Sequence, residues 1–198
     1  DEVLALINNE VERYKSIWSS LSKYNCPIIQ NNFDYPSVRP LGLSDSLISS
    51  GKTAFINKIN MKFHELSQSR ENLVINDICY LSAQIGISKW FDESNWYGYK
   101  MAVSFDASVS LGHVFAKITK LLYQQSYKCL VLDLDNTLWG GVIGDDGLGG
   151  IKIGQGSAIG EAYSDFQKYC KSLKEKGILL AVCSKNDEHI AKEPFEIN

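Results

Sequence analysis

Val3, Leu4, Ile7, Val11, Tyr14, Trp18 and Leu21 recur at helical spacing, with Glu10, Glu12, Lys15 and Ser19 among them. They predict an amphipathic helix over residues 3–21. No N-cap signal opens it, as expected of a segment cut from inside a larger protein. Cys26-Pro27-Ile28-Ile29-Gln30 is a short apolar run bounded by turn formers and reads as a strand. A polar loop continues from Asn31 through Pro40 and Gly42. Phe55, Ile59, Phe63 and Leu66 build a second helix over 52–68, residues 72–76 read as a strand, and Asp77 to Ile85 reads as a helix stopped by Gly86. The stretch from Trp90 to Met101 is aromatic and irregular. A further helix over 108–123 carries Val109, Val114, Phe115, Ile118, Leu121 and Leu122 on one side.

At residue 128 the pattern changes. Lys128-Cys129-Leu130-Val131-Leu132-Asp133 is nearly continuously apolar, as in a strand buried on both faces of a parallel sheet. Nine of the fifteen glycines fall between Gly140 and Gly160, which predicts a loop-rich excursion. Ser157 to Lys176 reads as a helix ended by Gly177, and Ile178 to Cys183 as a second buried strand. That strand runs into Ser184-Lys185-Asn186-Asp187 and a short helix. Strand, helix, strand in this order implies a right-handed βαβ unit. The expectation is an α/β chain with one domain over 1–125 and another over 126–198.

Composition narrows the function classes. The 198 residues are ample for a core. With 20 basic and 23 acidic residues, a net charge of −3 and no Lys/Arg run, nucleic-acid binding by phosphate neutralisation is not expected. The 44% apolar content, four prolines and non-periodic glycine exclude disordered and collagen-like classes. No stretch approaches the roughly 18 apolar residues of a membrane span, and Asp1-Glu2-Val3 is no signal peptide. The five cysteines, Cys26, Cys79, Cys129, Cys170 and Cys183, are scattered and form no Cys-x-x-Cys pair. Most sit in apolar runs, where Cys packs as a small hydrophobe. They suggest a reducing compartment and a soluble, cytoplasmic protein.

The chemistry concentrates in Leu132-Asp133-Leu134-Asp135-Asn136-Thr137-Leu138-Trp139. Two carboxylates two residues apart stand where an apolar strand ends, which is where open α/β sheets bind ligands. Such a pair is costly unless a cation or a shared proton relieves it. A hard divalent ion answers that need, and Mg²⁺ with a phosphorylated small molecule is the usual combination. Asp133 can attack phosphorus as a carboxylate nucleophile. Asp135 can protonate the leaving oxygen and later take a proton from water. Thr137 can donate to a phosphate oxygen.

The run Asp133-Leu134-Asp135-Asn136-Thr137 matches the Asp-x-Asp-x-Thr/Val motif of the haloacid-dehalogenase-like (HAD) phosphohydrolases. Ser184 stands where their second motif places a phosphate-binding Ser or Thr, with Lys185 beside it as a further phosphate contact. Over Leu132 to Gly147 and Ala181 to Asp187 the chain resembles the FkbH-like branch. That resemblance implies Mg²⁺ held by Asp133 and by the main-chain carbonyl of Asp135. It also implies transfer of a glyceryl unit from 1,3-bisphosphoglycerate to an acyl carrier protein with loss of phosphate, or a related step in polysaccharide or secondary-metabolite biosynthesis. The first half is similar to an SGNH-hydrolase-like three-layer domain. There Gln30-Asn31-Asn32-Phe33 follows a strand where that fold places an oxyanion-hole Asn, while Asn95 replaces the His expected three residues after Asp92. This half therefore reads as non-hydrolytic, used for docking or support, followed by the opening part of a HAD-type Rossmannoid domain. The Lys of the third HAD motif and the acidic fourth motif are absent, which suggests a truncated domain of low turnover. The alternative is a non-catalytic metal- or phosphate-binding and carrier-docking module.

Other residues carry weaker expectations. Cys183 could hold a thioester, although a buried core-facing Cys is the simpler reading. The glycine-rich stretch fits no nucleotide-binding loop and reads as a β-hairpin flap that brings Trp139, Val142 and Ile143 over the site. Asp145 and Asp146 would be its turn residues. His64, His113 and His189 lack ligand spacing. The Trp90–Tyr99 aromatics read as a satellite core between the halves or a partner surface, and Asn31 and Asn32 as turn caps or ligand contacts.

Overall fold

The computed structural model describes residues 2–124 and 126–196. Two compact units are present, Asp1–Gln124 and Gln125–Asn198. Both are mixed α/β, and each is built on one pair of parallel strands.

In the N-terminal unit, α1 (Glu2–Leu21) buries Ile7, Val11 and Trp18, the inward stripe of its helical period. β1 (Ile28–Asn31) pairs in parallel with β2 (Leu73–Asn76), from Ile28 opposite Leu73 to Asn31 opposite Asn76. Between them runs α2 (Lys52–Gln68), which contributes Ile59 and Phe63 to the same core. Edge-on aromatic contacts knit this core, with the Phe63 ring 4.9 Å from Tyr14 and 5.2 Å from Trp18. The start of α2 is capped from a distance. Asp45, fully buried, accepts the Lys52 and Thr53 N–H groups at 3.0 and 2.9 Å and the Thr53 hydroxyl at 2.6 Å. Gly51 makes this possible, because a Cβ there would lie 2.1 Å from the Asp45 carbonyl oxygen.

Short helices follow: α3 (Ile78–Ile85), α4 (Ile87–Trp90), α5 (Glu93–Tyr99) and the longer α6 (Phe105–Tyr123). Asp77 caps α3 by accepting the Tyr80 N–H, and Gly86, at φ +100°, ends it as expected. The aromatic segment is thus helical where an irregular stretch was expected. Of its residues Trp90 is buried, in a small core with Leu81 and Ala107. Trp96, Tyr97 and Tyr99 are exposed.

In the C-terminal unit, β3 (Cys129–Leu132) pairs in parallel with β4 (Leu179–Val182), from Cys129 opposite Leu179 to Leu132 opposite Val182. α7 (Ile143–Gly150), α8 (Ala158–Glu175) and α9 (Glu188–Glu196) complete it. Leu132, Leu134, Leu138, Trp139, Ile143 and Cys170 form the buried core, with Leu130 and Leu180 packed against it.

Three expectations are corrected here. The β3–β4 pair is buried on one face, with Val131, Leu179 and Val182 at 60%, 68% and 52% exposure. Alternation turns Val131 and Leu179 away from the core that Leu130, Leu132 and Leu180 face, whereas Val182, opposite Leu132, is on the core face and is left uncovered at the end of the pair. Cys183 is exposed, not core-facing, as are Cys26 and Cys129, and Cys170 is the buried cysteine. The glycine-rich stretch is not a hairpin. A single antiparallel bridge, Gly140 with Lys152, closes it through hydrogen bonds of 3.0 and 2.7 Å. Inside, α7 forms because Asp145 and Asp146 favour a helix N-terminus and the Asp146 carboxylate accepts the Val142 N–H at 2.8 Å.

Candidate active site

The parallel register brings the two predicted segments side by side. Asp133 and Cys183 are the first residues past the last paired positions, Leu132 and Val182, and the Cys183 N–H still donates to the Leu132 carbonyl at 2.9 Å. Adjacent strands lie about 4.8 Å apart, so the Asp133 and Ser184 loops leave the sheet as neighbours. Leu134 is fully buried and anchors the first loop in the core. The flanking carboxylates therefore point away from it, Asp133 exposed and Asp135 half-buried.

Asp133 accepts the Leu134 N–H at 2.8 Å, which leaves its second oxygen for other partners. Asp135 is more constrained. Its Oδ1 accepts the Trp139 indole N–H at 3.1 Å and the Ile143 N–H at 3.0 Å. Its Oδ2 accepts the Asn186 side-chain amide at 2.7 Å. Burial pushes the Asp135 carboxyl up, but the donors Ile143, Asn186 and Trp139 outweigh it and hold it below the ordinary carboxylate range.

The loop itself turns at Asn136, in the left-handed region at φ +52°. Asn136 stabilises the turn by accepting the Gly141 N–H at 3.0 Å on its side chain, while its own N–H donates to the Gly141 carbonyl. Trp139 and Ile143 are core residues that also wall the Asp135 carboxylate. Thr137 and Ser184 are half-buried and Lys185 is exposed. The Ser184 hydroxyl accepts the Asn186 N–H at 3.2 Å. A cavity of about 560 Å³ adjoins it, lined by Leu134, Val182, Ser184, Asn186, Glu188 and Phe195 among others. Asp133 and Asp135 lie outside that lining.

Two residues escaped the sequence reading. Asn186 stood in a quoted motif without a role, and Trp139 was read as a cover over the site where it is a hydrogen-bond donor within the wall. Asn186 has no local signal, because its bond to Asp135 joins residues 51 positions apart, whereas Trp139 is only four residues from Asp135.

The donors suit Mg²⁺. The Asp133 carboxylate and the Asp135 main-chain carbonyl are hard oxygen ligands, and Mg²⁺ held by one or two carboxylates keeps several waters. Among the described residues no group of three or more His, Cys, Asp or Glu is placed to hold a metal ion. His64, His113 and His189 are exposed. Among the described residues no helix is long and apolar enough to cross a membrane.

No curated protein matches the chain. Among solved structures, it is similar to the N-terminal part of a Bacteroides fragilis protein that contains a phosphatase domain, determined in complex with Mg. Identity is 35% and the TM-score 0.82, over 98% of this chain and 52% of that one. The chain thus spans about half the length of that relative. A family model described as FkbH, N-terminal domain, matches residues 1–122. That is more than half of the chain, and the chain belongs to this family, within the FkbH-like branch that its Asp133 and Ser184 segments resemble.

Proposed function

We propose that the C-terminal unit carries a Mg²⁺-dependent phosphohydrolase site with Asp133 as nucleophile. The observation that carries this reading is the emergence of the Asp133 and Ser184 loops side by side at the carboxyl end of β3 and β4. The Mg-bound phosphatase-domain relative supports it. In the first step an Asp133 oxygen bonds to phosphorus while the bond to the leaving oxygen breaks, and Asp135 gives that oxygen its proton. A dianionic phosphate beside Asp135 favours the protonated form this step needs. In the second step Asp135 takes a proton from water, whose oxygen bonds to phosphorus as the Asp133–phosphorus link breaks. Ser184, Thr137 and Lys185 would hold the phosphoryl oxygens. Mg²⁺, held by Asp133 and the Asp135 carbonyl, would supply charge neutralisation.

The finer reading is glyceryl transfer from 1,3-bisphosphoglycerate to an acyl carrier protein. The exposure of Cys183 next to Asp133 favours it. A Cys183 thiolate would attack the acyl carbon as its bond to the acyl phosphate breaks. Asp133 would take the remaining phosphoryl group from the 3-position and pass it to water, and a carrier thiol would then displace Cys183 from the glyceryl thioester. The test is phosphate release from 1,3-bisphosphoglycerate by the natural-length protein with Mg²⁺ and carrier. Asp133→Asn, Cys183→Ser and Mg²⁺-free samples run alongside. Release that needs Asp133 and metal supports the phosphohydrolase, and carrier mass gained only with Cys183 supports transfer. Release untouched by Asp133→Asn removes the nucleophile assignment.

A further inference from the structure

We propose that Asn186 is the positioning residue that sets Asp135 against the phosphate-holding loop. The inference rests on the reading of Asp133 and Asp135 as a phosphohydrolase pair. Asp135 has three donors, and they are not equivalent. Trp139 and Ile143 belong to the excursion that Asp135 itself opens, four and eight residues along the chain. They would travel with Asp135 if that excursion shifted. Asn186 comes from the segment after β4, and its 2.7 Å bond is the tie between the Asp135 carboxylate and the Ser184 loop.

Asn186 is itself held in register with Ser184, because its N–H donates to the Ser184 hydroxyl at 3.2 Å. Its amide is also fitted sterically. A Cβ at Gly144, in the first turn of α7, would lie 3.3 Å from the Asn186 side-chain oxygen. Side chain and main chain of one residue thus reach the proton-transferring carboxylate and the phosphate-binding hydroxyl. The separation of those two groups decides whether a proton meets the leaving oxygen as its bond to phosphorus breaks. A small misplacement is costly in such a geometry. The cost depends on the leaving group. An alkoxide needs the proton, whereas a p-nitrophenolate departs as an anion.

The experiment compares glycerol phosphate and p-nitrophenyl phosphate on the natural-length protein with Mg²⁺, with kcat and KM measured separately. Asn186→Ala is expected to lower kcat on glycerol phosphate by about 10²-fold, within the range general acid catalysis supplies. KM and the first-turnover release of p-nitrophenolate, which needs no proton from Asp135, should stay within about threefold. Gly144→Ala removes no polar group, crowds the Asn186 amide, and should shift selectivity in the same direction by a smaller factor. An equal fall in first-turnover release from both substrates, or no fall on either, in a wild-type protein that needs Asp133 overturns the role of Asn186 and leaves the phosphohydrolase reading standing. A wild type that cleaves neither substrate in an Asp133-dependent way overturns both.

Discussion

In both units polar residues stand at or just past the carboxyl ends of the parallel strands, and the two units use them in opposite ways. Past β1 and β2 the polar groups satisfy one another. The Asn76 amide donates to the Asn31 side chain at 2.8 Å, and Asn32 donates to Asp77 at 2.7 Å while accepting the Cys79 N–H. Asn60 takes both the N–H and the carbonyl of Phe33. Past β3 and β4, Asp133 is exposed and accepts one N–H from its own neighbour, and Ser184 accepts one from Asn186. The same topology gives a closed amide network in one unit and open chemistry in the other. A strand's carboxyl end becomes a candidate site when its polar groups are left with bonds to make, and not merely because it is polar.

The largest effects follow from exchanging these roles. Asp133→Asn should lower phosphate release by at least about 10³-fold, as expected for loss of a nucleophile. Because Asp133 is exposed, stability to denaturant should change by less than about 0.5 kcal/mol. Asn76→Ala should do the reverse. Asn76 is 1% exposed, and its removal leaves the Asn31 acceptor unpaired, at a cost of about 1–3 kcal/mol. Catalytic constants in the folded protein should be unchanged. Urea unfolding and kcat on the same two variants check both halves, and an Asn76→Ala variant that unfolds like wild type would dissolve the contrast.

Much of this contrast was legible in the sequence, because its carriers are local. The Asp133-Leu134-Asp135 run places two carboxylates past the end of β3 within three residues, and the helices announce themselves by period and by stops such as Gly86 and Gly177. What was not legible depends on partners far along the chain. An apolar run such as 129–132 says that burial is favourable, but the elements packed against the pair decide which faces obtain it. Val131 is exposed for that reason, and Cys183 likewise. The glycine-rich excursion has a helix where a hairpin was expected, because Asp146 reaches back to Val142. Asp45 likewise caps a helix that begins seven residues later, without a capping signal at the helix start itself.

A smaller effect, dependent on pH, sharpens the view that the N-terminal unit spends its charge on structure. The Thr53 hydroxyl, the Thr53 N–H and the Lys52 N–H outweigh burial and hold the Asp45 carboxyl below its ordinary value. A depressed folded value means the contribution is fully present above the unfolded pKa of about 3.9 and is lost as pH falls through the lower folded value. Asp45→Asn should therefore be less stable than wild type at neutral pH, with the gap narrowing below about pH 4. Denaturant midpoints from pH 7 down to pH 2 test this. A gap that stays constant with pH would mean that the cap works by shape, not by charge.

The smallest effect tests the exposed face of β3–β4. Ile28 and Leu73 in the N-terminal pair are buried, whereas Val131 and Leu179 in the C-terminal pair are mostly in water. Trimming Ile28 to Ala should cost about 2–5 kcal/mol, since it removes buried methyl groups and leaves a cavity. Val131→Thr together with Leu179→Thr should change stability of the 198-residue chain by no more than about 0.5 kcal/mol, because exposed side chains gain little from burial they do not have. Thr retains the β-branched shape that strands favour, so the backbone is not penalised. Unfolding curves at two protein concentrations tenfold apart decide the matter. A loss above about 1 kcal/mol that grows with concentration would mean that a second copy covers this face in solution, and the two sheets would then differ in what covers them, not in whether they are covered.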